Sequence, residues 1–116
     1  MSYKYINTEY LETVAGEDTE LMKELIDMFR DQVREIHSEM VSLLAGNNFA
    51  ALGLLAHKAK SSVAIMGMED LASMLKSFEL EAKEALYPEK YHSYIERFGH
   101  ETTAAVAELD EMISRR

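Results

Sequence analysis

His57 stands among small side chains with cations close by, an arrangement that lets a second protein reach an imidazole ring. The stretch from Asn48 to Met66 reads as a helix at about 100° per residue. Leu52, Leu55, Ala56, Ala59, Val63 and Met66 cluster on one arc of it, the expected core face. His57 points almost directly away from that arc, into solvent. Ala50, Gly53, Ser61 and Ala64 stand beside it at helical spacing, Lys60 lies three residues on, and Lys58 is the next residue in the chain. A histidine can be neutral near pH 7, and its free ring nitrogen is then a nucleophile. Bare ground around the ring and cations at its flank therefore point to a nucleophilic or phospho-accepting histidine. Any one of these features alone would describe an ordinary surface histidine; their coincidence favours the chemical reading. His37, His92 and His100 lack such cleared surroundings and read as surface or boundary residues.

The elements that must position this ring are helical from end to end. A short opening helix is expected over Thr8 to Ala15, ended by Gly16. Asp18 can cap a long second helix whose apolar stripe reads Leu21, Leu25, Met28, Val33, Ile36, Met40, Leu43 and Leu44, with Gly46 as its stop. Asn47 or Asn48 then caps the His57 helix, which Gly67 ends. A fourth helix carries Leu71, Leu75, Phe78, Ala82 and Leu86. Pro88 suits the first turn of a last helix striped by Tyr91, Ile95, Phe98, Thr102, Ala105, Leu109 and Met112. Connections this short force neighbouring helices to run antiparallel. The expected fold is all-α, an up-down antiparallel four-helix bundle with a short extra N-terminal helix. No internal repeat, low-complexity segment or linker divides it, so residues 1–116 read as one domain.

Composition narrows the function classes. Hydrophobic residues make up 47% and charged residues 28% of the 116, the balance of an ordinary soluble protein. No apolar run reaches the length of a bilayer span, and Met1 to Tyr10 lacks the apolar core of a signal peptide, so a cytoplasmic location is expected. With no cysteine, disulfides and thiolate metal sites are unavailable. A net charge of −9 repels phosphate backbones and argues against nucleic-acid binding. The eight methionines fall mostly at core-facing positions and read as packing filler.

The run His57-Lys58-Ala59-Lys60-Ser61-Ser62, followed by Gly67, resembles the histidine-containing phosphotransfer (HPt) domain. That family's usual pattern is His-x-Leu-Lys-Gly-Ser with a glycine ten residues after the histidine. The histidine, the lysine at plus three, the serine at plus five and the glycine at plus ten all match. Ala59 replaces the common leucine and Ser61 the common glycine, and both changes keep a helix and a compact surface. The resemblance covers most of the chain, from the acidic-apolar N-terminal segment to a return helix containing Phe78-Glu79.

The resemblance implies a phosphorelay intermediate with no cofactor of its own. Nε2 of His57 would attack the phosphorus of a receiver-domain phosphoaspartate and later pass the group to another receiver aspartate. Any Mg²⁺ would belong to the receiver. In the family a residue of the following helix often fixes the ring tautomer, and Glu79 is the candidate by its spacing from the histidine. Lys83, one helical turn further, shares a face with Glu79. Lys60 and Lys83 would offset the charge of the transferring phosphoryl group, the main demand in such chemistry. Ala50, Gly53, Lys58, Ser61 and Ala64 would form the landing surface, with Gly67 in a structural role. On that open face Gly53→Ala is expected to stabilise the fold by about 1 kcal/mol through helix propensity. Expected partners are response-regulator receivers and a hybrid sensor histidine kinase, met by a monomer.

Two rival classes compete with this reading. A metal-carboxylate bundle needs Glu-x-x-His on two helices, and the chain offers only Glu89-Lys90-Tyr91-His92. A docking module that binds a receiver or kinase without accepting phosphate is opposed only by His57 and its surroundings. Autonomous kinase activity is excluded, because neither a P-loop nor a glycine-rich phosphate cradle is present.

Overall fold

In the longest apolar-periodic segment Met22, Ile26, Phe29, Val33, Ile36 and Met40 recur at alternating steps of four and three, which aligns them on one face of a helix. The computed structural model describes residues 3–116, and there this face, not the expected one through Leu21, Leu25 and Met28, is the buried side of the helix. Its helices are α1 (Glu9–Ala15), α2 (Thr19–Ala45), α3 (Phe49–Ile65), α4 (Glu69–Lys83) and α5 (Tyr91–Ser114), with a 3-10 turn at Pro88–Lys90. There is no strand among the described residues. The 27 residues of α2 span about 40 Å at the usual helical rise, so one helix runs nearly the full 44 Å of the molecule. Arg30 meets Asp110 and His37 stacks near Phe98, so α2 and α5 run antiparallel. α2, α3, α4 and α5 close a ring of neighbours, and α1 lies against α2. This is the expected all-α helical bundle.

The packed faces differ from the expected ones at particular places. Met28 is 67% exposed, and Met22, Ile26 and Phe29 form the core side of α2 in its place. Leu21 and Leu25 lie half-buried at its edge. α4 ends at Lys83, and Leu86 lies beyond it, exposed. Pro88 opens the separate 3-10 turn instead of the first turn of α5.

Helix ends explain the differences around α4 and Pro88. The Asp18 carboxylate accepts from the Leu21 N–H at 3.1 Å, and Asn48 Oδ1 accepts from the Ala51 N–H at 3.4 Å, which caps α2 and α3. Three helices end alike: the Asn48, Met68 and Leu86 N–H groups donate to Leu43, Val63 and Glu81 carbonyls, five residues back. This Schellman closure needs a left-handed residue just before the donor. Asn47, Gly67 and Ala85 take that place, at φ 53°, 70° and 53°. Gly46 keeps an ordinary φ of −89°, so Asn47 and not Gly46 makes the left-handed turn after α2. After α4 the buried Tyr91 hydroxyl donates to the Leu86 and Glu81 carbonyls and holds a segment in which Tyr87 is also left-handed.

Alanine is a poor residue for a left-handed closure, at a cost of roughly 1 kcal/mol. Ala85→Gly should therefore raise stability by about 0.5 kcal/mol, the relief exceeding the extra chain entropy that glycine loses. A lower denaturation midpoint for the variant would show that the turn is not strained.

Candidate functional site

α3 and α4 are antiparallel neighbours, and their pairing decides what surrounds His57. Leu52, Leu55, Ala56, Ala59, Val63 and Met66 are buried, which leaves His57 on the outer side with its side chain 58% exposed. Across the helix pair, Phe78 and Ala82 are buried anchors of α4, and Glu79 emerges beside Phe78 at the rim. The Glu79 Oε2 atom lies 3.0 Å from His57 Nδ1. Its other oxygen lies 3.7 Å from the Lys60 ammonium, so one carboxylate bridges the imidazole and the cation.

The electrostatics fix the direction of the hydrogen bond. Partial burial pushes the Glu79 carboxyl up, but the hydrogen bond and charge of His57, joined by Lys60, outweigh it and hold it below the usual carboxylate range. An ionised carboxylate only accepts, so Nδ1 carries the proton and donates. In a neutral ring Nε2 then keeps its lone pair and faces outward. Such a ring, with its tautomer fixed and a negative charge behind it, has the chemistry of a nucleophile.

The remaining candidate residues separate into two groups. Ala50, Lys58, Ser61 and Ala64 are exposed on the outer side of α3. Gly53 is not on that open surface. It is buried against α4, where a Cβ would lie 3.2 Å from both the Glu79 carbonyl oxygen and the Lys83 nitrogen. A residue one turn before His57 can face either solvent or the next helix, and the position of α4 decides it. Lys83 is exposed and makes no ion pair among the described residues, and it is Lys60 that meets Glu79. Gly67, at φ +70°, packs so closely on the N-terminal segment that a Cβ would lie 2.5 Å from that of Asn7.

The expected gain from Gly53→Ala is therefore reversed. Overpacking against α4 backbone costs about 1–3 kcal/mol, against a propensity gain of about 1 kcal/mol. A net loss near 1 kcal/mol is expected, together with displacement of Glu79 from the ring. An increase in melting temperature for Gly53→Ala would contradict this close approach.

Leu54, one turn before His57, was not among the sequence candidates, yet it is 75% exposed. Ile65 is exposed further along α3. The signal was in the sequence: both fall outside the core arc on the flank of α3 away from Lys60, where a large apolar residue has no core to enter. Among the described residues no three His, Asp or Glu side chains gather as metal ligands, and His92 instead meets Glu96 at 3.0 Å. No helix among the described residues is long and apolar enough to cross a membrane.

Comparison with known proteins bears on the same residues. A family described as the Hpt domain matches residues 24–115, a span that contains α3, α4 and α5 entire. Neither the curated proteins nor the solved structures yield a match.

Proposed function

The chain belongs to the Hpt domain family, whose members serve phosphotransfer in two-component phosphorelays, and from that premise we propose that it accepts a phosphoryl group on Nε2 of His57 from one receiver-domain phosphoaspartate and passes it to the aspartate of another. The observation that carries the proposal is the contact of Nδ1 with Glu79 Oε2 at 3.0 Å beneath an exposed ring. The Nε2 lone pair attacks phosphorus and an N–P bond forms. The P–O bond to the receiver breaks, and its electron pair leaves with the aspartate carboxylate. The ring keeps its Nδ1 proton and becomes cationic, a charge that faces Glu79. Onward transfer is the reverse sequence with a second aspartate as nucleophile.

Lys60 reaches this centre through Glu79, which shares its charge. Lys83 and Lys58 are exposed cations for an approaching phosphoaspartate. Ala50, Ser61 and Ala64 keep the ground around the ring low, and Leu54 adds an apolar contact for the receiver. On this reading the bundle acts as a monomeric unit in the cytoplasm, and a hybrid sensor kinase's receiver suits it as donor. Transfer of label from phosphorylated receivers tests the reading. Receivers that bind without giving up phosphate would make the chain a docking module instead.

The landing surface has its own test. Ala64→Trp places a large ring beside His57 at an exposed position, so the fold should tolerate it. Receiver affinity should fall by about tenfold or more, equivalent to at least about 1.4 kcal/mol. Uptake from a small donor such as phosphoramidate should survive better than uptake from a receiver. Equal receiver affinity for Ala64→Trp and wild type would place docking elsewhere.

A further inference from the structure

Two glycines interrupt helix interiors, and each lets a neighbouring helix approach closely. Gly53 admits α4, and Gly99 does the corresponding work between α5 and α2, where a Cβ would lie 2.6 Å from His37 Nε2. Interior glycine costs a helix about 1 kcal/mol relative to alanine, so the close seat of His37 on the Gly99 face of α5 is maintained against propensity. A groove of about 660 Å³ runs along this face, within the range of small-molecule sites. It lies between α2 and α5, across the bundle from the α3–α4 pair that carries His57.

The polar lining of this groove consists mostly of hydrogen-bond donors, with Glu96 its one carboxylate, in a chain of net charge −9. Arg34, His37, His100 and Thr103 line it, and none of them has an ion pair or side-chain hydrogen-bond partner among the described residues. The two other charged lining groups, Arg30 and Glu96, each have a contact of their own. Arg30 holds Asp110 through two hydrogen bonds of 2.9 and 2.6 Å, and Glu96 meets His92.

We propose that the α2–α5 groove binds a small phosphomonoester. The Arg34 guanidinium offers a planar fork of donors that suits phosphate oxygens. His37 and His100 each offer at least one ring N–H in either protonation state, and Thr103 adds a hydroxyl. Donors from four side chains on two helices suit a phosphoryl head, with three terminal oxygens and up to two negative charges, better than a carboxylate with two oxygens and one charge. Val33 and Val106 line the same groove and supply apolar wall for the organic part of an ester. A molecule bound there leaves His57 uncovered, so the proposal does not depend on the chemistry assigned to that residue.

The test is an NMR titration of the isotopically labelled chain with phenyl phosphate, with inorganic phosphate and benzoate as parallel arms. Saturable shifts are expected at the backbone amides of Arg34, His37, Gly99, His100 and Thr103. Inorganic phosphate should move the same amides more weakly, and benzoate more weakly than phenyl phosphate. Arg34→Gln changes an exposed side chain and should weaken phenyl phosphate binding by roughly tenfold, the usual scale for losing a charge-assisted hydrogen bond. An unperturbed spectrum elsewhere verifies that the variant is folded. Absence of saturable shifts at these amides, or shifts confined to His57, Lys58, Lys60 and Lys83, would overturn the proposal. Equal binding of benzoate, or unchanged affinity in Arg34→Gln, would overturn it as well.

Discussion

Replacing His57 with Gln abolishes phosphate uptake and leaves the helical bundle intact; this is the largest effect expected of any single substitution. The ring is exposed and carries no core contact that glutamine would lose, so stability should change by no more than about 0.5 kcal/mol. The glutamine amide can still donate to Glu79, so the acidic side chain is not left without a partner. It has no nucleophilic nitrogen, however, because the amide lone pair is delocalised into the carbonyl. In wild type the label should be acid-labile and base-stable, as a phosphoramidate is. Undiminished labelling of His57→Gln would remove His57 from the account.

The second large effect is expected at Glu79. Truncation to Ala removes the acceptor that keeps the proton on Nδ1 and the charge that faces the cationic phosphorylated ring. Loss of one such preorganised electrostatic partner costs on the order of 10²-fold in rate. Glu79→Gln should fall between Ala and wild type, since its amide oxygen still accepts from Nδ1 but carries no charge. The pH dependence follows from the depressed carboxyl. Burial raises it, His57 and Lys60 lower it by more, and the net is a group that titrates below the usual glutamate value of about 4.3. Its contribution is present above that value and is lost only as pH falls through the lowered one. Single-turnover transfer from a phosphorylated receiver measures all three proteins. Equal rates for Glu79→Ala and wild type would show that the ring needs no such support.

Much of this was legible before any coordinates. The core arc of α3 follows directly from spacing, and its six apolar members are all buried. The stripe of α2 was harder, because Leu21, Leu25 and Met28 run one residue out of step with Met22, Ile26 and Phe29. Only the continuation separates them: the first set leads to Gln32, Glu35 and Glu39, the second to Val33, Ile36 and Met40. Two helix ends differ from expectation: Asn47 and not Gly46 takes the left-handed turn after α2, and Ala85 takes one after α4, ahead of the Leu86 that the apolar spacing includes. Gly53 was misplaced for another reason. Periodicity fixes angles around one helix, but it does not say on which side of His57 the next helix lies. The bridge from Glu79 to both His57 and Lys60 depends on that same relation between helices.

The central claim is that Nε2 of His57, with Nδ1 held by Glu79, takes the phosphoryl group. It is tested most directly by phosphorylating ¹⁵N-labelled protein through a receiver and reading phosphorus–nitrogen coupling in the imidazole resonances. The account predicts coupling at Nε2 of His57, with the Nδ1 proton retained. Coupling at Nδ1, or phosphate on any residue other than His57, would contradict it.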